Sequence, residues 1–205
     1  SMWDVTRFGG WADTAYTRAR TGNMYSTRFK TIYPYEEREA GRPVKTTPAH
    51  AFHKDKGACF GAMDGLEYPL WFARTGEVPV ESLTFHRPNW FDTVGAECRA
   101  LHDGVGVIDI STYGAHTVTG PGAAQWLNHV MAGRLPREDG RSALMPMLGH
   151  DGHLMGEFSV CRLGPEDFVL IGSSTAARFH HRWWEQFLPT NGVTVTNRTG
   201  DLCGV

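Results

Sequence analysis

Hydrophobic and polar positions change rhythm along this chain, and the clearest rhythm begins at Asp92. Residues 94–102 carry apolar side chains at helical spacing. Asp92 or Thr93 is suited to cap that helix, and Gly104 to stop it. Residues 106–110 read as a strand, and residues 115–119 as a second strand after Tyr113-Gly114. Gly120-Pro121-Gly122 opens a helix through Met131, with Pro121 near its first turn. Residues 142–148 and 153–162 alternate like the arms of a hairpin across Gly149-His150-Asp151-Gly152. Residues 168–171 form another strand, and Ser174 or Thr175 caps a helix reaching Phe187. Residues 193–196 alternate again, and 197–201 read as a turn. Residues 202–205 open a further apolar strand, a pattern that predicts a native chain running beyond Val205. Helices interleaved with antiparallel strands predict an α+β fold, an antiparallel sheet with flanking helices.

The first half is less regular. Ala12, Ala15, Tyr16 and Ala19 share one face of a helix over residues 11–20, extending toward Lys30 against the cost of Gly22. Pro34 closes this unit, Glu36 to Glu39 read as a solvated turn or short helix, and Gly41-Arg42-Pro43 marks a boundary. Residues 43–92 show little periodicity and are punctuated by Pro43, Pro48, Pro69, Pro79 and Pro88. Their many aromatics argue against a solvated linker and predict an ordered strap. The expected divisions are therefore 1–42, 43–92 and 93–205.

Composition narrows the function classes. With 205 residues, 41% hydrophobic and 20% charged, the chain is neither disordered, collagen-like nor a coiled coil. A net charge of -2 gives no basic excess for nucleic acid. No apolar run approaches the ~20 residues of a membrane helix, so no membrane partner is expected. Cys59, Cys98, Cys161 and Cys203 lie far apart without a CxxC pair, which predicts reduced thiols and a cytoplasmic setting.

Candidate chemistry is sparse. His150 and His153 flank a turn, and the adjacent His180 and His181 would point ~100° apart on a helix, so no metal site is expected. No GxSxG is present, and Cys98 and Cys161 occupy apolar-periodic positions. The glycines at 61–65 and 120–122 do not match GxGxxG after a strand, so flavin or nicotinamide chemistry would need residues outside this chain. Glu157 is the lone acid of its strand, with Gly156 leaving space beside it. That arrangement permits a desolvated, proton-handling carboxylate, and it equally permits an outward-facing polar residue.

Several stretches in order resemble a known family. They are WDVTRF from Trp3, YPYEE from Tyr33, AGRP from Ala40, KGACFG from Lys56, and ECRALHDGVGVIDIS from Glu97. VTGPGA from Val118, FVLIGSS from Phe168 and RWWE from Arg182 follow. Together they look like the dimethylglycine and sarcosine dehydrogenases (or oxidases), with the later part in their glycine-cleavage T-protein-like folate domain. The resemblance implies a helical segment over 1–42 behind an absent flavin domain, and over 93–205 the first part of the folate domain. It implies an enzyme that demethylates an N-methyl amine oxidatively and passes the one-carbon unit to tetrahydrofolate, with FAD held elsewhere. It places the essential acid of T-proteins, an Asp there, at Glu157. It sets cofactor contacts at Leu144 (a Tyr in many T-proteins), Val160, Gly172, Ser173 and Ser174. It also implies that the isolated chain is inactive and that exposed apolar edges favour self-association. Two other classes fit the same residues: a non-catalytic assembly module, which Leu144 and the aromatic strap favour, and a stand-alone aminomethyltransferase.

Overall fold

A computed structural model describes residues 8–190 and 192–205; the Trp3–Arg7 portion of the first family-like stretch lies outside the described residues. Residues 8–110 with 203–205 form one compact unit, and residues 111–202 belong to a second.

The first unit opens with α1, Thr14–Thr27, which starts three residues later than the apolar spacing predicts and runs through Gly22 along the expected extension. Asp13 caps it by accepting the Tyr16 N–H at 2.7 Å. Residues 36–39 are irregular rather than helical. Residues 43–92 hold more regular structure than a strap: α2 (His50–Asp55), then β1 (Ala58–Met63) and β2 (Leu66–Phe72) paired antiparallel. Asp64 and Gly65 join these strands with φ of 51° and 79°, the left-handed pair that a tight hairpin requires. Gly65 is also where the Trp11 ring approaches, 2.6 Å from where a Cβ would stand. Pro69 sits inside β2 because both strands of a two-stranded ribbon are edges, where a missing N–H is tolerated.

Helix α3, Phe91–Asp103, begins earlier than predicted and ends at Gly104. Neither Asp92 nor Thr93 caps it, since the Thr93 hydroxyl donates to Glu77 instead. Residues 106–110 are not a strand. They join no ladder among the described residues, and Val105 is 98% exposed. Asp109 instead lies 3.5 Å from His53 Nε2, and the Ile110 N–H donates to Gly204 O. Residues 202–205 likewise form no strand.

The second unit is built on a five-stranded antiparallel sheet in the order β4-β5-β6-β3-β7. These are β3 (Gly114–Thr119), β4 (Ser142–Leu148), β5 (Leu154–Gly164), β6 (Asp167–Gly172) and β7 (Thr194–Asn197). Strict alternation gives it two unlike faces. Val118, Met145, Met147, Phe158, Val160, Phe168 and Leu170 point inward, onto α4 (Ala123–Val130) and α5 (Ala177–Glu185). Trp126, Leu127 and Trp184 are the helices' contributions to that core. Helix α5 starts at Ala176 without a side-chain cap. The Ser173 hydroxyl, rather than Ser174 or Thr175, accepts the Ala176 N–H, at 3.4 Å. The α+β class and the antiparallel sheet with flanking helices follow the sequence pattern.

Candidate functional site

The outer face of the five-stranded sheet carries the candidate acid. Ladder register sets Leu144, Ser159, Ile171 and Ala115 in one row across four strands. Pro146 and Glu157 form the next pair along β4–β5. Leu144 is 66% exposed, and Glu157 and Ser159 are exposed. The Glu157 carboxylate has no ion pair or side-chain hydrogen bond among the described residues. The face therefore presents an acceptor-only carboxylate, a hydroxyl at Ser159, and apolar surface from Leu144 and the half-buried Ile171.

The space expected at Gly156 is not beside the carboxylate. Gly156 faces the core, where an added Cβ would lie 2.6 Å from His180 Nε2 and 3.0 Å from the Phe158 ring. The glycine is a packing requirement of α5, and Glu157 on the opposite face is exposed rather than desolvated.

The other predicted cofactor contacts separate in the same way. Val160 is fully buried among the core side chains and turns away from the outer face. Gly172 faces inward too, and a Cβ there would collide with the Phe158 ring at 2.6 Å. Strand parity puts Val160 and Gly172 on the face opposite Ser159 and Ile171, so neither side-chain position is on the face that carries Glu157. Ser173 is exposed just past β6, with its hydroxyl engaged at the α5 entrance, and Ser174 is half-buried, its carbonyl accepting the Ala177 N–H. The structure thus gathers Leu144 and Glu157 on one face, with Ser173 just past the β6 end.

The spacing argument left one cluster unread. Beneath the sheet, His116 stacks at 5.8 Å on His181 and meets Trp184 edge-on at 4.9 Å. It is 1% exposed, and neither ring nitrogen has a hydrogen-bond partner. Burial, helped by His181 and His180, pushes the His116 pKa down to about 3. Burial also lowers the pKa of His180, opposed by the Met155 carbonyl 3.0 Å from its Nε2. Residue 116 shares the inward parity of Val118 on β3, but nothing local in the sequence marks its partners, which lie more than sixty positions away. Elsewhere His150 packs on Trp183 and Phe187, while the exposed His153 pairs with Asp151 at 2.9 Å. Among the described residues no group of three His, Cys, Asp or Glu could hold a metal ion.

Comparison with known proteins agrees with this architecture. Residues 49–205 match the family described as the GCVT N-terminal domain, and residues 1–47 the FAD dependent oxidoreductase central domain. The chain is 32% identical over 201 residues to the mitochondrial dimethylglycine dehydrogenase of Rattus norvegicus, covering 97% of this chain and 23% of that protein. It is 30% identical over 172 residues to the 4-methylaminobutanoate oxidase (formaldehyde-forming) of Paenarthrobacter nicotinovorans, covering 83% and 21%. The chain thus spans under a quarter of the length of these curated relatives. The fold is similar to the glycine cleavage system aminomethyltransferase T from Bartonella henselae, with a TM-score of 0.53, 22% identity, and coverage of 75% of this chain and 38% of that one. The chain belongs to the GCVT N-terminal domain family, with a segment ahead of it that matches the FAD dependent oxidoreductase central domain, and it is similar over part of their length to dimethylglycine dehydrogenase, 4-methylaminobutanoate oxidase and sarcosine dehydrogenase.

Proposed function

We propose that this chain supplies part of the tetrahydrofolate-facing surface of an enzyme that oxidatively demethylates an N-methyl amine, of the dimethylglycine or sarcosine kind. The observation that carries the reading is Glu157. At the position where the family resemblance sets the acid of T-proteins, a carboxylate stands without a charge partner on an uncovered sheet face. The residues fit a flat, amine-bearing heterocycle: Leu144 and Ile171 offer apolar surface, and Ser159 and Glu157 offer polar groups.

Tetrahydrofolate, when bound, supplies the ring amines that accept a one-carbon unit. Glu157 supplies what an amine needs from its host, an acceptor for an N–H and a group able to hold a proton. Leu144 and Ile171 exclude water from the ring faces. Ser173 serves the α5 entrance, and it borders the site rather than holding the cofactor. Flavin chemistry is assigned to residues outside this chain, consistent with the missing GxGxxG.

Calorimetric titration with tetrahydrofolate, on this chain and on a longer protein containing it, tests the reading. The longer protein binds, and Glu157→Ala weakens binding by roughly 10–100-fold, the value of a charge-assisted hydrogen bond. Absence of binding by both would replace this reading with the non-catalytic assembly module.

A further inference from the structure

The second compact unit contains a cavity of about 470 Å³, bounded by α4, the loop that follows it and the far end of β5. Three arginines line it, Arg134, Arg137 and Arg162, together with Asn128, and its lining holds no carboxylate. The chain as a whole carries a net charge of -2, so this concentration of positive charge is local.

The backbone beneath these arginines is anchored. The loop that carries Arg134 and Arg137 is tied to β4, where the Ala132 N–H donates to Pro146 O at 2.8 Å. Between the two arginines, Leu135 packs against the core and Pro136 is buried. Two anchored residues thus separate two exposed arginines that line one cavity. Arg162 is rooted from both sides: its N–H donates to Arg141 O at 2.9 Å, and its carbonyl accepts the Gly140 N–H at 2.8 Å. Its side chain is 18% exposed and lies over the Phe168 ring at 5.5 Å.

The acids nearby leave most of this charge unmatched. Arg162 donates through Nε to Asp139 at 2.9 Å and through Nη1 to Pro136 O at 3.4 Å, and its Nη2 has no partner among the described residues. Glu138 pairs with Arg141 at 3.4 Å, and Glu166 accepts the Ala124 N–H at 3.4 Å. Arg134 and Arg137 have no ion pair or hydrogen bond among the described residues. Two whole guanidinium forks and the free end of a third, half-buried one therefore line the same cavity.

We propose that this cavity binds a small phosphate ester, its phosphate oxygens on Arg134, Arg137 and Arg162 and its organic part on Ala124, Leu135 and Pro136. A guanidinium fork matches a pair of oxygens on one oxyanion. A carboxylate has two oxygens and a single charge, enough for one fork. A phosphate monoester has three terminal oxygens and a charge of about -1.5 to -2, enough to meet the others as well. The cavity also falls within the range of about 300–1,000 Å³ typical of small-molecule sites. Arg162 pairs with Phe168 across β5–β6 and shares the inward parity of Val160, so the site is not on the face that carries Glu157. The assignment stands whether or not Glu157 meets folate.

Phenyl phosphate is the probe, titrated into the full chain by calorimetry against sodium acetate and sodium chloride at equal ionic strength. The expected result is saturable binding with Kd of about 0.1–1 mM, and acetate weaker by about tenfold or more. Arg137→Gln weakens phenyl phosphate binding about tenfold, and the charge reversal Arg134→Glu abolishes it. Both positions are exposed, so neither variant disturbs the core. Arg18→Gln, an exposed arginine of α1 in the other unit, leaves binding unchanged. Heat equal to that of sodium chloride overturns the proposal. So does acetate binding as tight as that of phenyl phosphate, or undiminished binding in both Arg134→Glu and Arg137→Gln.

Discussion

Glu157 stands directly opposite Pro146 across the β4–β5 ladder, and Pro146 turns its carbonyl outward to the Ala132 N–H at 2.8 Å. Proline has no N–H, and its carbonyl is engaged elsewhere, so the two residues exchange no backbone hydrogen bonds. Antiparallel pairs of that kind bring their side chains closest. The pyrrolidine ring therefore flanks the Glu157 stem and the carboxylate projects beyond it. Glu157→Asp draws the carboxylate back by one methylene. Tetrahydrofolate affinity in the longer protein falls less than about threefold for Asp, against about tenfold or more for Gln. Fluorescence titration of the two variants side by side gives the ratio.

Gly156→Ala drives a methyl into His180 Nε2 and the Phe158 ring. The expected loss is about 1–3 kcal/mol, as for other overpacked cores. His180→Ala alone is destabilising too, but combined with Gly156→Ala it recovers part of that loss. A double-mutant cycle in urea measures the coupling. Strict additivity would mean that the glycine is not reserved for this ring.

The buried histidines set a pH dependence. His116 has a pKa of about 3 in the fold against 6.5 for the free side chain. Between those values the unfolded chain binds more protons than the folded one, so stability rises with pH across that window. The penalty is absent above about pH 6.5, grows as the pH falls, and levels off only below about pH 3, with a slope of at most about 1.4 kcal/mol per pH unit. His116→Leu removes two unpartnered nitrogens, flattens this acid limb, and costs little at pH 7.5. Urea melts from pH 4.5 to 7.5 decide it; identical slopes for both proteins would assign the acid sensitivity elsewhere.

Arg42 and Glu67 form a buried pair whose breaking differs from its replacement. Glu67→Gln leaves the guanidinium without its bidentate partner and costs about 3–5 kcal/mol. Arg42→Met with Glu67→Leu costs much less, because no charge is left buried. Chemical denaturation of the single and double variants shows which holds.

The sheet's alternation was legible in the sequence, and its cross-element packing was not. Met145, Met147, Phe158, Val160, Phe168 and Leu170 sit at period two, so the strands that carry Glu157 and their inward faces follow from the pattern alone. The β1–β2 ribbon was hidden by Pro69, although Asp64-Gly65 is a hairpin signal in its own right. Residues 106–110 carry strand-like apolar residues and form no strand, because a strand needs a ladder partner and local pattern does not report one. For the candidate site, the family-like stretches point to Glu157 and Leu144, which share the outer face of the sheet. Val160 and Gly172 lie on the inner face, as strand parity relative to Glu157 requires. Gly156 looked like open space because the rings that fill it, His180 and Phe158, are brought there by packing that the local sequence does not report.

The most direct test of the Glu157 assignment is the fate of the one-carbon unit during turnover of the longer protein with its N-methyl amine and tetrahydrofolate. Free formaldehyde and folate-bound carbon are measured together with the rate of amine oxidation. Glu157→Ala is expected to leave amine oxidation unchanged and to divert most of the carbon to free formaldehyde. An unaltered partition between the two would contradict the assignment of Glu157 to the folate-facing site.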